Sequence, residues 1–141
     1  MDSLINVIIA WLSLSSPTPL PPALPNIKLA SPQQLLIIHA VRALRQWDES
    51  NIMGAYDPLS RKIYLRADWD SRRAADVSVL AHELVHFLQA ATHEKFECPA
   101  AREAAAYAAQ RRWLELYGTD LQREFGIDAM TLKLRTACLP H

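Results

Sequence analysis

The sequence predicts an α+β fold, in which helices pack on a small β-sheet. Two β-prone runs, Ile52–Tyr56 and Lys62–Ala67, flank the stretch DPLSR, whose Asp-Pro start is a turn signal, so they predict a β-hairpin. The stretch NIKLA (Asn26–Ala30) predicts a third short strand. The other main stretches carry helix start signals or apolar residues at helical spacing, which together with the strands indicates a mixed class.

The N-terminal stretch predicts an amphipathic first helix, because Leu4, Ile5, Ile8, Trp11 and Leu12 recur at helical spacing. The alternative is a cleaved signal peptide, but such a segment starts with positive charge and this chain has no Lys or Arg before Lys28. The apolar run is too short to span a membrane. Five prolines between residues 17 and 25 then predict an extended connector.

Start and stop signals predict the remaining helices. Ser31 and Pro32 read as N-cap and first helical position, and Pro99 is a favourable first-turn residue. Gly118 can adopt the left-handed conformation that ends a helix. The predicted helices are Gln33 to about Trp47, a helix from between Ser71 and Asp76 to about Thr92, Pro99–Tyr117, and one short helix in the tail.

Length, charge and cysteine content limit the number of domains and the kinds of partner that the chain can have. The 141 residues suit one domain (1–141), made of the helix and connector (1–25) and a core (26–141). Fifteen basic residues balance fifteen acidic ones without any basic block, which disfavours nucleic acid as a partner. Cys98 and Cys138 leave the compartment open: reduced cysteines suit the slightly favoured cytoplasm, whereas a disulfide suits a periplasmic or secreted protein. The oligomeric state is also open.

The stretch SVLAHELVHFLQ contains an H-E-x-x-H motif, His82-Glu83-Leu84-Val85-His86. Chance gives about 0.01 such matches in a chain of this composition. On a helix, one face is apolar and the opposite face carries the polar motif residues and His93. The apolar face consists of Val77, Leu80, Leu84, Phe87, Leu88 and Ala91.

The motif spacing predicts a zinc site. Side chains four residues apart on a helix lie about 6 Å apart at Cβ, so the imidazoles of His82 and His86 can converge on one ion. Glu83, beside the first ligand, is placed to accept a proton from water at the metal, which is the general-base role. The alternative is a solvated polar face without chemistry.

The third ligand has three candidates. The extended motif with a third histidine fails, since His93 stands one residue too late. The stretch Glu103-Ala-Ala-Ala-Tyr107 is similar to the E-x-x-A-[DY] element that carries the glutamate ligand in gluzincin metalloproteases, and this resemblance favours Glu103. Glu97 is the rival, although it precedes Cys98-Pro99 and stands outside the predicted helix. Glu103, Tyr107 and Gln110 share one helical face.

Nearly the whole chain resembles a family of short, uncharacterised bacterial zincin-like domains, through IYLRADW, SVLAHELVHFLQ, KFECPAAREAAAYAAQRRWL and TLKLRTACLP. The resemblance implies a minimal gluzincin architecture that includes the first helix. It also implies that Cys98 and Cys138 are partners. The implied ligand set is His82, His86 and Glu103.

These observations lead to the expectation of a hydrolase: a zinc metallopeptidase with one Zn²⁺ per chain and a peptide or protein substrate. Tyr107 is the candidate donor to the oxyanion, and its alternative is an aromatic packed between helices. Lys62–Asp68 is either an edge strand that binds extended peptide or an internal strand. Two other functions stay open: a structural zinc protein, and a metal-free helical interaction module.

Overall fold

The computed structural model describes the backbone of residues 1–16, 19, 21–42 and 53–140, and their side chains except those of residues 39, 41 and 42. Within these ranges the chain forms six helices and one three-stranded sheet, so the α+β prediction is confirmed. In chain order the elements are α1 (Asp2–Ser15), β1 (Asn26–Ala30), α2 (Pro32–Arg42), β2 (Gly54–Asp57), β3 (Lys62–Arg66), α3 (Ala74–Ala91), α4 (Pro99–Glu115), α5 (Leu121–Phe125) and α6 (Ala129–Thr136).

The sheet has the strand order β1-β3-β2. The predicted hairpin is confirmed, because β2 pairs antiparallel with β3, with Asp57 opposite Lys62. β1 pairs parallel with the other side of β3, with Asn26 opposite Lys62. The edge role considered for Lys62–Asp68 is therefore wrong: both hydrogen-bonding sides of β3 are already paired, which makes it the internal strand of the alternative.

Helix α2 begins as predicted. The hydroxyl of Ser31 accepts a hydrogen bond from the backbone N–H of Gln34 at 3.2 Å. The Gln34 side chain in turn accepts one from the N–H of Ser31 at 2.9 Å. This reciprocal pair is a capping box, which stabilises the first turn. The predicted end of the helix at Trp47 and the predicted strand start at Ile52 lie outside the described residues.

The apolar core joins α1, the sheet and α3. The predicted inner face of α1 is confirmed for Ile5, Ile8 and Leu12, which are buried, while Leu4 and Trp11 are partly buried against the same cluster. The core side chains that meet there include Ile63, Leu65, Leu80, Leu84 and Phe87. Burying this area is the main favourable contribution to folding. None of the described helices combines the length and apolar character needed to cross a bilayer.

Gly54 sets how closely β2 approaches α3. A Cβ atom at this position would lie 2.9 Å from Cγ1 of Val79 and 3.1 Å from the carbonyl oxygen of Tyr64. The second contact is with backbone, which cannot move aside as a flexible side chain can. The absence of a side chain at Gly54 therefore allows α3 to sit directly on the hairpin.

The loop before α3 is tied to the first turn of that helix. The buried carboxylate of Asp76 accepts a hydrogen bond from the N–H of Asp70 at 2.8 Å and pairs with Arg73 at 2.8 Å. The indole N–H of Trp69 donates to the carbonyl of Asp76 at 2.6 Å. The predicted bounds of this helix are confirmed, since α3 starts at Ala74 and ends at Ala91.

The C-terminal part differs from the prediction in one respect. Two short helices, α5 and α6, follow α4 where one was expected, and both have an aspartate N-cap. Asp120 accepts from the N–H of Arg123, and Asp128 accepts from the N–H of Thr131, each at 2.8 Å. Such caps satisfy backbone donors that even a very short helix leaves open. Gly118 has the predicted left-handed backbone, with φ of 72°.

A disulfide joins Cys98 and Cys138, with 5.8 Å between their Cα atoms. Cys98 is the N-cap residue of α4, and Cys138 follows α6. The bridge closes a loop with a sequence separation of 40 residues. In the chain-entropy model, a loop of that length contributes about 4 kcal/mol to the free energy of unfolding. The pairing implied by the family resemblance is thus present in the structure.

The integration of α1 into the core can be tested with a matched pair of substitutions. Ile8 is 0% exposed and Val7 is 58% exposed on the same helix. Ile8→Ala is expected to lower the free energy of unfolding by about 2–5 kcal/mol, because it leaves a cavity in the core. Val7→Ala is expected to change it by less than about 0.5 kcal/mol. Urea denaturation measures both, and equally small effects would contradict this placement of α1.

Candidate metal centre

The motif residues lie on the side of α3 that α4 covers. The opposite side packs on the core through Val77, Leu80, Leu84, Phe87 and Leu88, as predicted, although Ala91 is exposed. The polar side is not solvated: His82 is 8% exposed, Glu83 7% and Gln89 6%. Ala106 and Ala109 on α4 are buried, and their small side chains allow the two helices to approach closely. The solvation assumed in that alternative is therefore wrong, whereas a chemical role of these residues stays a prediction.

Three donor groups converge between the two helices. Nε2 of His82 lies 2.9 Å from Oε2 of Glu103, and Nε2 of His86 lies 3.0 Å from Oε1 of the same carboxylate. One ligand atom from each of the three residues lies within 4.8 Å of the others. The structure thus brings together the three residues predicted to hold a metal.

The rival third ligands do not join this group. Glu97 is exposed and precedes α4, and His93 is exposed just after α3. His93 has a φ of 54°, so the chain leaves the helix there and turns away from the helical spacing of the motif. Among the described residues, His82, His86 and Glu103 are the one set of three or more such side chains close enough to hold an ion.

Glu83 is buried beside the three converging side chains. The negative charge of Glu83 contributes to raising the pKa of His86, which places the two groups within electrostatic reach. Within the described part of the chain, this carboxylate forms neither a hydrogen bond nor an ion pair. Within the described residues, no protein group therefore competes for the Glu83 carboxylate.

Tyr107 lies one turn after Glu103 on α4 and contacts the first histidine. Its ring meets that of His82 edge to face, with 4.6 Å between the ring centroids. The hydroxyl oxygen of Tyr107 accepts a hydrogen bond from Nη1 of Arg135 at 2.9 Å. Tyr107 thereby links the ligand cluster to α6. Its role as a donor to an oxyanion stays a prediction.

Two glutamines that were not predicted to have a role contact the histidines. Oε1 of Gln110 lies 2.9 Å from Nδ1 of His82, and Oε1 of Gln89 lies 2.9 Å from Nδ1 of His86. Gln110 stands two turns after Glu103 on the predicted ligand face. Gln89 follows His86 by three residues, a spacing at which helical side chains meet. Those two spacings are the sequence signal that identifies both residues.

His86 and Glu103 form an ion pair. Burial, the largest single contribution, lowers the pKa of His86, but the hydrogen bond and charge of Glu103, the charge of Glu83 and the Gln89 hydrogen bond together raise it to about 9. Burial raises the pKa of Glu103, yet the hydrogen bonds and charges of His82 and His86 bring it well below its usual range. Proton and metal therefore compete for the same nitrogen.

The ion pair predicts a pH dependence for the metal-free protein. The pKa of His86 in the folded protein, about 9, lies above its ordinary value of 6.5. Its contribution to stability is therefore fully present below about pH 6.5 and lost as the pH rises through about 9. An NMR titration is expected to show the high pKa in wild type and in the Glu97→Gln control, and a lower pKa in Glu103→Gln. A wild-type pKa near 6.5 would contradict the ion pair.

Comparison with known proteins gives one match. A family model described as a domain of unknown function, DUF6647, matches residues 1–141. No curated protein and no solved structure matches the chain. Because the match extends over the whole sequence, the chain belongs to the DUF6647 family.

Proposed function

We propose that the protein is a zinc-dependent metallopeptidase whose Zn²⁺ is held by His82, His86 and Glu103. The observation that carries the proposal is the convergence of two imidazoles and one carboxylate between α3 and α4, within 4.8 Å of one another. The presence of Glu83 beside this group, a buried residue whose carboxylate has no hydrogen-bond or ion-pair partner among the described residues, supports a catalytic use of the site.

The donor set fits zinc. Two histidine nitrogens and one glutamate oxygen are a known ligand set of catalytic zinc sites, at metal–ligand distances near 2.0–2.1 Å. Donor atoms of such a tetrahedral site are about 3.4 Å apart. The two N···O distances of 2.9 and 3.0 Å are a few tenths of an ångström shorter, whereas the three ligand atoms as a set lie within 4.8 Å of one another, so the side chains must rotate to admit the ion.

The number of ligands favours a catalytic site over a structural one. Structural zinc sites usually have four protein ligands, whereas catalytic sites have three and leave one position for water. Among the described residues the group contains three members. This observation supports an open site and disfavours the alternative of a structural zinc protein.

When bound, the ion would polarise the scissile carbonyl and lower the pKa of a water molecule at the open position. Glu83 accepts the proton of that water at its carboxylate and passes the proton to the leaving amine. Glu103 and the two histidines would hold the ion. Tyr107 is proposed as the donor to the developing oxyanion, since its ring packs against His82.

The order of the elements supports a minimal zincin-like architecture. A small sheet comes first, a helix with two ligands lies on it, and the next helix supplies the third ligand. The substrate is proposed to be a peptide or protein. The disulfide between Cys98 and Cys138 supports a location in an oxidising compartment, where such bonds persist.

Metal content tests the ligand set. The purified wild-type protein, after incubation with Zn²⁺ and removal of the excess, is expected to contain about one zinc per chain by elemental analysis. Glu103→Ala is expected to lose it because a ligand is removed, whereas Glu97→Ala and Glu83→Gln are expected to retain it. Absence of zinc in wild type would overturn the metallopeptidase proposal and leave a helical interaction module as the leading function.

Activity tests the role of Glu83. Zinc-loaded wild type is expected to cleave members of a peptide library, followed by mass spectrometry. Glu83→Gln keeps the size of the side chain but removes the base, so it is expected to slow cleavage by about 10²–10⁴-fold while zinc content is unchanged. Glu97→Gln is the matched control for loss of one carboxylate. Equal cleavage by Glu83→Gln and wild type would exclude the proposed general base.

A further inference from the structure

The ring nitrogens that face away from Glu103 both contact a side-chain amide. Nδ1 of His82 lies 2.9 Å from Oε1 of Gln110, which belongs to α4. Nδ1 of His86 lies 2.9 Å from Oε1 of Gln89, on its own helix. Both glutamines are buried, so neither amide can exchange these contacts for water at low cost.

The orientation of the Gln110 amide follows from its second contact. The hydroxyl of Ser78 donates to the carbonyl of Ala75 at 2.6 Å, so its oxygen remains an acceptor. Nε2 of Gln110 donates to that oxygen at 3.2 Å. The carbonyl end of the amide, Oε1, is therefore the end that faces His82.

The orientation of the Gln89 amide is fixed more directly. Its Nε2 donates to the backbone carbonyl of Arg102 at 3.1 Å, and a carbonyl oxygen can only accept. The acceptor Oε1 of Gln89 is therefore turned toward His86. The contact also ties the end of α3 to the first turns of α4, next to Glu103.

An amide oxygen cannot donate, so each Nδ1 must carry the proton of its hydrogen bond. A neutral imidazole protonated at Nδ1 has its lone pair on Nε2. In both histidines Nε2 is the atom that points to the carboxylate of Glu103. Once Nε2 has lost the proton that it shares with Glu103, the two amides thus leave each neutral ring in the tautomer whose Nε2 lone pair points to the same place.

We propose that Gln89 and Gln110 are positioning residues of the metal centre. Ser78 in turn orients Gln110 by accepting a hydrogen bond from its side-chain amide. The inference rests on the proposed metal site and adds what orients its ligands. Histidine ligands of metals generally donate their second N–H to a protein acceptor, and loss of that acceptor lowers metal affinity about 10–100-fold. Here both acceptors are neutral amides, which fix the tautomer without adding negative charge.

The test compares zinc affinity among three kinds of variant, by competition with a chromophoric chelator. Gln110→Met and Gln89→Met keep a similar volume but remove the acceptor, and are expected to weaken Zn²⁺ binding about 10–100-fold. Gln110→Glu and Gln89→Glu keep an acceptor and are expected to bind at least as tightly as wild type. Gln122→Met, at an exposed position of α5, is the control and is expected to bind like wild type.

A spectroscopic measurement on zinc-loaded wild type needs no variant. Long-range ¹H–¹⁵N NMR is expected to place the ring proton on Nδ1 of both histidines, and a proton on Nε2 of either ring would overturn the inference. Wild-type affinity in both methionine variants would also overturn it while leaving the metal site intact. Failure of wild type itself to bind zinc would remove the proposed function, and this inference with it.

Discussion

The packing of α4 across the polar side of α3 is the constraint on which the rest of the site depends. Without that packing, the two motif histidines would stand on a solvated helix, four residues apart and free to rotate. The buried alanines of α4, Ala106 and Ala109, make close approach possible, and the disulfide fixes the start of the same helix. Glu103 is then held opposite both imidazoles rather than in water.

This packing also buries charged side chains, which then need partners within the protein. Burying a carboxylate or an imidazolium is costly unless each has a partner. Glu103 pairs with both histidines, and the side-chain amides of two glutamines contact Nδ1 of each ring. Glu83 is the group that this network leaves out.

The parts of the fold that depend on local signals could be predicted from the sequence. The bounds of Asn26–Ala30 and the start of α4 at Pro99 are set by turn, proline and capping residues, and the structure has both as predicted. The positions of His82 and His86 follow from helical spacing. Glu103 was favoured through a sequence resemblance, because its distance from the histidines depends on how two helices pack.

The features that depend on long-range packing were beyond the sequence analysis. The parallel pairing of β1 places Lys62–Arg66 inside the sheet, and nothing local to that strand indicates an internal position. The burial of the polar side of α3 depends on a helix that starts only at Pro99, so spacing within α3 alone does not show it. The tail forms two short helices where one was expected, since the turn between them is set by Gly126 and by the aspartate cap Asp128 rather than by an apolar pattern.

The measurement that tests the central claim most directly is an anomalous difference map at the zinc edge from crystals of the zinc-loaded protein. The account predicts one strong peak between α3 and α4, about 2.0–2.2 Å from Nε2 of His82, Nε2 of His86 and a carboxylate oxygen of Glu103, with the fourth position open to solvent. A peak elsewhere, a fourth protein ligand, or no peak at this position would contradict it.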